Sequence, residues 1–301
     1  QVRTCIAAYD APLAMRHLLT GLELTADDLH AILDRAAALK LAPRASDALD
    51  GRSVALVFQK PSTRTRVSFE AGIVEMGGHP MVLRPGDTQL GRGESLRDTA
   101  RVLARHVAAV GVRTHADAEL EGLAAEDQLP VFNMLTQGHH PCQVLADLLT
   151  LREAFGSLEG LKLAYVGDGN NMTRSLVGMG ATAGLEVVVS TPPELALAGV
   201  PSITDPREAV AGANAIYTDV WVSMGDEDTA DARRAVLAPY RIDDALLDAA
   251  APGAIALHCL PAHPGEEITE SVLYGHRQHI WDQAENRRHA QKAMLEWLLA
   301  G

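Results

Sequence analysis

The run Phe58–Glu70, with the sequence Phe-Gln-Lys-Pro-Ser-Thr-Arg-Thr-Arg-Val-Ser-Phe-Glu, has the residue types of a phosphate-binding site. The apolar run Val54–Phe58 predicts a buried strand, and the proline that follows ends its hydrogen bonding. Ser62 and Thr63 favour the N-cap of a helix, whose first backbone NH groups and positive dipole end attract anions. Hydroxyl groups and the Arg64 guanidinium add donors for a phosphate dianion. The pattern predicts a phosphate-binding helix, and a capped helix with exposed arginines is the alternative.

Other polar residues follow buried apolar runs, where open α/β sheets place their ligand-binding groups. Arg113 follows one such run, and its planar guanidinium can hold two oxygens at once. His140 and Gln143 are three residues apart and share one helix face. Asp219 begins an acidic loop, and the stretch 258–261, His-Cys-Leu-Pro, ends the last apolar run. Each of these features has a structural alternative. Arg113 could be a solvated arginine, His140 and Gln143 a surface pair, Asp219 part of a solvated acidic loop, and Cys259 an inert buried cysteine.

Taken in order, these stretches resemble the aspartate and ornithine carbamoyltransferase family. The Ser-Thr-Arg-Thr-Arg sequence at 62–66 resembles the family's carbamoyl phosphate site, and the later stretches occur in the family's order. The loop 219–225, Asp-Val-Trp-Val-Ser-Met-Gly, and the His-Cys-Leu-Pro turn resemble the ornithine branch. The resemblance runs from about Met15 to the C-terminus. It implies transfer of the carbamoyl group of carbamoyl phosphate to the δ-amine of L-ornithine, giving L-citrulline and phosphate, without a metal or organic cofactor.

The resemblance also assigns residues to carbamoyl phosphate. In the family the arginine at Arg113 reaches the phosphate and the carbonyl oxygen, and the imidazole at His140 helps to polarise that carbonyl. With Cys259, these two residues are the expected catalytic residues. The implied carbamoyl phosphate-binding residues are Ser62, Thr63, Arg64, Thr65, Gln89, Arg113, His140, Gln143, Cys259, Leu260 and Arg287.

A second set of residues is implied for L-ornithine. By resemblance Asn171 contacts the α-amino and carboxylate end, Asp219 binds the α-ammonium, and Ser223 and Met224 close over the amino acid. Gln89 resembles a residue that is supplied to the neighbouring subunit's site. The resemblance therefore implies a homotrimer, or a multiple of trimers, with shared active sites.

Composition sets limits on the class of protein. The 301 residues are enough for two domains of ordinary size, and a formal net charge of −13 makes a nucleic-acid partner an unlikely one. No apolar run is long enough for a membrane helix, and the N-terminus lacks a signal-peptide core. Three cysteines, Cys5, Cys142 and Cys259, suit free thiols in a reducing compartment. We therefore expect a cytoplasmic protein without a membrane partner.

Strand and helix patterns alternate along the chain, which predicts an α/β fold. We expect two doubly wound parallel-sheet domains with an active-site cleft between them. The expected divisions are an N-terminal extension at 1–14, a carbamoyl phosphate-binding domain at 15–145, an ornithine-binding domain at 146–283, and a C-terminal helix at 284–300 that packs back on the first domain. Among the predicted helices are 62–76, 95–107 and 144–151.

Three rival functions are weighed against this interpretation. The stretch 167–172, Gly-Asp-Gly-Asn-Asn-Met, follows a strand as in a dinucleotide-binding fingerprint, but the third glycine is replaced by Met172. Glu186 lies at the spacing of a ribose-binding acid without a convincing context, so a nicotinamide enzyme is a weak alternative. A carbamoyltransferase acting on putrescine or another amine is the nearest rival. A non-catalytic anion-binding module would keep the arginines but lose the acceptor residues. This sequence has the arginines and the acceptor residues together.

Overall fold

The computed structural model describes residues 15–88, 93–222 and 227–300, and they form two parallel β-sheets flanked by helices. The first sheet has the strand order β2-β1-β3-β4 and the second has the order β6-β5-β7-β8, every neighbouring pair being parallel. The strands are β1 (Ser53–Phe58), β2 (His79–Leu83), β3 (Ala109–Arg113), β4 (Val131–Leu135), β5 (Lys162–Val166), β6 (Glu186–Ser190), β7 (Ala215–Thr218) and β8 (Ile255–His258). The predicted α/β class with two parallel sheets is confirmed.

The α-helices follow the alternation that the sequence predicts, with three short additions in the second half. They are α1 (Ala26–Leu41), α2 (Thr63–Glu75), α3 (Leu96–Leu103), α4 (Asp117–Ala124), α5 (Pro141–Phe155), α6 (Asn171–Thr182), α7 (Pro206–Val210), α8 (Ala230–Leu237), α9 (Asp244–Asp248), α10 (Glu270–Leu273) and α11 (Ile280–Leu299). The helix predicted at 95–107 ends at Leu103, and the helix predicted at 144–151 is α5, which is longer at both ends. Within the described ranges, no helix is both long and apolar enough to cross a membrane.

The central strands are buried on both faces, as their continuous apolar runs predict. Ala55 of β1 pairs with Met81 on one side and with Val110 on the other, which places β1 inside the first sheet. Gly111 leaves room for the Phe132 ring, since a Cβ atom at Gly111 would lie 2.3 Å from that ring. This close approach lets β3 and β4 pair while the ring fills the core below them.

Helix α11 belongs to the end of the chain but packs against α1, α2 and α5. The Lys292 ammonium is fully buried, pairs with Glu75 at the end of α2 and donates to the Pro43 carbonyl oxygen at 2.8 Å. Arg35 of α1 donates to the Glu296 carboxylate at 2.6 and 2.8 Å. A buried charge is stable only when it is paired, so these bonds fix α11 against the first sheet's helices.

Several predictions lie outside the described residues. These are the N-terminal extension at 1–14, the subunit-sharing residue Gln89, and the acceptor-closing residues Ser223 and Met224.

Candidate active site

A cavity of about 1100 Å³ lies where the carboxyl ends of the two sheets face each other. Open α/β sheets bind ligands at this edge. The cavity is lined by most of the residues that the sequence analysis singled out: Ser62, Thr63, Arg64, Thr65, Arg113, His140, Asn171, Asp219, Cys259, Leu260 and Arg287. Gln143 does not line the cavity, and it lies buried behind one of these residues.

The first wall of the cavity is the N-terminus of α2. Ser62 is the N-cap residue in extended conformation, and its hydroxyl caps no amide of the helix. The Thr65 Oγ1 atom accepts a hydrogen bond from Arg287 at 2.8 Å and lies 3.5 Å from Arg113 Nη1. Two guanidinium groups from distant parts of the chain therefore converge on the first turn of α2. The prediction of a helix beginning at the Ser-Thr pair is confirmed.

The guanidinium groups make this wall cationic, and their charge together with burial disfavours further protonation. Burial, with the charges of Arg287 and Arg64, lowers the pKa of Arg113 to about 10. Burial and the two neighbouring guanidinium groups hold the pKa of His140 well below its usual value, so the imidazole is neutral at neutral pH. Arg113 Nε, Arg287 Nε and His140 Nδ1 are buried and have no hydrogen-bond partner among the described residues. Unsatisfied buried donors of this kind are typical of a ligand-binding site.

Gln143 lies in the first turn of α5 and is fully buried. Its side-chain oxygen accepts a hydrogen bond from Arg287, and its side-chain nitrogen donates to Asp147 Oδ1 at 2.8 Å. Gln143 therefore contacts the cavity wall through Arg287. The Cys142 thiol is buried beside it, and burial raises its pKa to about 12, so it remains protonated.

The opposite wall carries the residues implied for an amino-acid acceptor. The Asp219 carboxylate follows β7, is 8% exposed, and accepts hydrogen bonds from the Cys259 thiol at 2.8 Å and the Asn170 amide at 2.9 Å. Asn171 donates to the Thr136 carbonyl oxygen at 2.7 Å, which places its side chain across the gap between the two sheets. Burial and the charge of Asp219 raise the pKa of Cys259 well above its usual value, so this thiol stays neutral.

The turn after β8 presents Cys259 and Leu260 to the cavity. Leu260 has a left-handed backbone with a φ of 61°, which is unfavourable for a side chain of this size. Its NH group donates to His258 Nδ1 at 2.8 Å, and His258 Nε2 lies 3.2 Å from the buried Glu267 carboxylate. These bonds require a neutral imidazole that accepts at Nδ1 and donates at Nε2. The His258 imidazole thus stabilises the turn formed by the His-Cys-Leu-Pro sequence to which it belongs.

Two groups of possible metal ligands occur among the described residues. Asp219, His258 and Cys259 form one group, and the ligand atoms of each group lie within 4.8 Å of one another. Both ring nitrogens of His258 are engaged with protein atoms, and the Cys259 thiol donates to Asp219. In the second group, of residues 263, 266 and 267, Glu266 is paired with Arg234 at 3.1 Å. Protein partners therefore occupy atoms that a metal would need.

The glycines before α6 do not make a dinucleotide site. A Cβ atom at Gly169 would lie 2.2 Å from the Leu195 carbonyl oxygen, so the missing side chain makes room for another backbone segment. In a dinucleotide-binding turn this space would admit the pyrophosphate. Glu186 is exposed at the start of β6, at the opposite end of that strand from the cavity edge. This geometry disfavours the nicotinamide alternative.

Three site residues were missed or undervalued in the sequence analysis. Asn170, to which the sequence analysis gives no role, caps α6 and also bonds to Asp219. The fully buried Asp147 and Gln283 support the cavity wall from behind. The capping role of Asn170 has a recognisable pattern, because asparagine before a helical run is a favoured N-cap. Asp147 and Gln283 are 136 residues apart, and no local pattern indicates their pairing.

Family models match nearly the whole chain. The carbamoyl-P binding domain of aspartate/ornithine carbamoyltransferase matches residues 16–153, and the Asp/Orn binding domain of the same family matches residues 159–298. The chain belongs to the aspartate/ornithine carbamoyltransferase family.

Within that family the chain is similar to proteins of the ornithine branch. It is 51% identical to the ornithine carbamoyltransferase of Acidothermus cellulolyticus over 95% of this chain and 97% of that protein. It is 48% identical to the ornithine carbamoyltransferase of Parafrankia sp. over 94% of this chain and 96% of that protein. The structure of the ornithine carbamoyltransferase from Pyrococcus furiosus superposes with a TM-score of 0.91 at 42% identity, covering 96% of this chain and 98% of that one.

Proposed function

We propose that this chain transfers the carbamoyl group of carbamoyl phosphate to the δ-amine of L-ornithine and releases L-citrulline and phosphate. The observation that carries the proposal is the cavity. One wall combines the N-terminus of α2 with Arg113, Arg287 and neutral His140, and the opposite wall carries the Asp219 carboxylate beside a neutral thiol. Similarity to ornithine carbamoyltransferases at 50% and 51% identity supports the same acceptor.

The cationic wall suits carbamoyl phosphate. Ser62, Thr63 and Arg64 would hold the phosphate at the helix N-terminus, where backbone NH groups and the dipole favour an anion. Thr65, Arg113 and His140 would donate to the carbonyl oxygen as it gains negative charge. Donors that are already oriented toward a developing oxyanion lower the barrier more than groups that must reorient.

The remaining predicted contacts hold the carbamoyl group and the acceptor. The Leu260 carbonyl oxygen would accept from the carbamoyl NH2, and Gln143, which lies behind Arg287, would hold that guanidinium in place. Asp219 and Asn171 would hold the α-amino acid end of ornithine.

A C–N bond forms as the neutral δ-amine attacks the carbamoyl carbon, the C–O bond to phosphate breaks, and the amine loses one proton. Cys259 stays a neutral thiol beside Asp219 and adds no competing anion.

Between pH 6 and 7.5, kcat/KM for ornithine should depend on pH only through the protonation of the acceptor's δ-amine. The δ-amine resembles a lysine side chain with a pKa of about 10.4, and only its neutral form attacks. We therefore expect log kcat/KM for ornithine to rise linearly with a slope near one. His140 should add no break near pH 6.5, because burial and Arg287 and Arg113 keep its pKa well below that value. Initial rates of citrulline formation measure the profile, and a break near pH 6.5 or the absence of citrulline would contradict the assignment.

We also propose a homotrimer, or a multiple of trimers, with Gln89 supplied to a neighbouring site. Val67 and Val74 support a subunit contact, because these apolar side chains lie seven residues apart on α2 and are 60% and 59% exposed. Sedimentation at assay concentration should give the mass of a trimer or its multiple. A fully active monomer would contradict the shared site.

The domain limits at 15–145 and 146–283, with 284–300 on the first domain, are part of the same proposal. The two family models, which match residues 16–153 and 159–298, support a division in this region. A cytoplasmic location and a place in arginine metabolism stay predictions.

A further inference from the structure

A chain of buried polar side chains runs behind the cavity between α5 and α11. The Asp147 Oδ1 atom accepts hydrogen bonds from Gln143 Nε2 at 2.8 Å and from Gln283 Nε2 at 2.7 Å. Gln143 in turn accepts from Arg287, which bonds to Thr65 on the phosphate-binding helix. All five side chains are at most 3% exposed. We call Gln143, Asp147, Gln283 and Arg287 the buried amide network.

The network determines which way the Gln143 amide points. An ionised carboxylate only accepts hydrogen bonds and a guanidinium only donates them. Gln143 lies between Asp147 and Arg287, so its NH2 group must face Asp147 and its oxygen must face the cavity wall. If the amide were reversed, its oxygen would face the Asp147 carboxylate and its NH2 group would face the Arg287 guanidinium. Both contacts would be buried and without a hydrogen bond, which is costly.

The Gln143 oxygen can hold the Arg287 guanidinium, which lines the cavity, only in this orientation. We propose that Asp147 is a positioning residue that locks the Gln143 amide with its oxygen toward Arg287, and so fixes this guanidinium in the wall that would hold carbamoyl phosphate. The inference rests on the proposed function, because it takes carbamoyl phosphate as the ligand. Asp147 does not line the cavity and touches no substrate.

The second amide of the network joins Asp147 to the acceptor side of the site. The Gln283 side-chain oxygen accepts a hydrogen bond from the His258 backbone NH at 3.0 Å. His258 precedes the turn that presents Cys259 and Leu260 to the cavity. One carboxylate oxygen therefore supports both Gln143, which holds Arg287, and the turn that presents Leu260 to the cavity.

Steady-state kinetics of Asp147→Ala test the inference at pH 8. Burial raises the pKa of Asp147 to about 7, so the wild-type carboxyl is mostly ionised at that pH. The variant removes the group that holds the Gln143 NH2, so Gln143 should hold Arg287 less firmly, and we expect KM for carbamoyl phosphate to rise about tenfold. Arg287 bonds to Thr65, which is proposed to hold the carbonyl oxygen, whereas Ser62, Thr63 and Arg64 are proposed to hold the phosphate, so the inhibition constant of inorganic phosphate should stay within about twofold. Asp147→Leu, which fills the space with an apolar side chain, should give the same result if Asp147→Ala does not fold.

Two further variants separate positioning from general damage. Asp147→Asn keeps an oxygen that can accept from both amides, so it should retain a KM close to wild type. Thr150→Val removes a hydroxyl that accepts from Asn286 at 3.0 Å in the same helix interface, one turn from Asp147, and should leave KM unchanged. Equal losses of carbamoyl phosphate and phosphate affinity would overturn the positioning role.

A double variant isolates the path through Gln143. If Asp147 acts on carbamoyl phosphate mainly by orienting Gln143, then Asp147→Ala should raise KM by less than about twofold in a Gln143→Ala background, a small remainder being expected because Asp147 also holds Gln283. An additive effect would overturn the inference. Wild-type turnover keeps the two proposals apart: an enzyme that makes no citrulline refutes the proposed function, whereas an active enzyme with an unaffected Asp147→Ala variant refutes the positioning role alone.

Discussion

Replacing Arg113 with alanine is expected to lower kcat for citrulline formation by about 10²–10³-fold, the usual effect of removing one oxyanion donor. Arg113 is 9% exposed, lies 3.5 Å from Thr65 on the first turn of α2, and has a pKa of about 10, so it is charged at pH 8. Its guanidinium would donate to the carbonyl oxygen and the leaving phosphate. The loss should therefore be greater in the transition state than in the bound substrate. Initial rates at saturating carbamoyl phosphate and ornithine measure it.

Two arginines of α2 provide matched comparisons. Arg66 does not line the cavity and pairs with Glu70 one turn along the helix at 2.8 Å, so Arg66→Ala should change kcat by less than about twofold. Arg64 lines the cavity and would contact only the phosphate. Arg64→Ala should cost about 1.5–3 kcal/mol of carbamoyl phosphate binding with a smaller effect on kcat. An Arg113→Ala enzyme with kcat within about threefold of wild type would assign the oxyanion donor to another residue.

Local patterns were sufficient to predict the strands and the start of α2. A short continuous apolar run such as Val54–Phe58 is typical of a strand that is covered on both faces. The structure buries this run in β1. Ser62 has the residue type of an N-cap and occupies that position. Since a parallel strand ends at the ligand-binding edge, residues such as Arg113 and Asp219 could be placed near the site from their positions after a strand.

Long-range support for the site could not be predicted in the same way. Asp147 lies within an apolar helix, where the sequence gives no reason for a buried carboxyl group. Its partner Gln283 is on α11, and their bond depends on how that helix packs against α5. The space at Gly169 likewise depends on the path of the segment around Leu195. These contacts follow from tertiary packing, which residue spacing alone does not determine.

Helices α7 and α8 were missed for a different reason. The five-residue helix α7 begins after Asp205, whose side chain caps the NH group of Arg207, with a proline in its first turn. These are valid start signals, but a helix of one turn buries few residues and leaves no periodic pattern. Helix α8 follows the acidic loop after Asp219, and Arg233 on α8 bonds to the Trp221 carbonyl oxygen at 3.0 Å. Arg233 also bonds to the Asp168 carboxylate, and Leu237 is the one buried residue of α8, so polar contacts made by its arginines do most to fix this helix.

Replacing Asp219 with asparagine is expected to reduce kcat/KM for ornithine by the equivalent of about 2–5 kcal/mol. Asp219 is 8% exposed, and it already accepts hydrogen bonds from Asn170 and Cys259, which orient the carboxylate toward the cavity. The substitution keeps the shape of the side chain and removes the charge that would pair with the α-ammonium. A desolvated ammonium without its partner is costly, so the loss should be large. Citrulline assays measure it, while KM for carbamoyl phosphate should change little.

The acceptor itself provides the control for this charge pair. 5-Aminovalerate has the δ-amine and the carboxylate of ornithine but lacks the α-ammonium, so Asp219→Asn should hardly alter the low rate with this compound. The wild-type enzyme should prefer ornithine to lysine, putrescine and aspartate. The carboxylate and amide groups of the cavity wall fit an α-amino acid with a terminal amine. If the variant loses as much activity with 5-aminovalerate as with ornithine, Asp219 supports the structure of the site. A wild-type preference for putrescine would instead mean that the α-carboxylate of ornithine is not recognised, and the acceptor would then be a simple diamine.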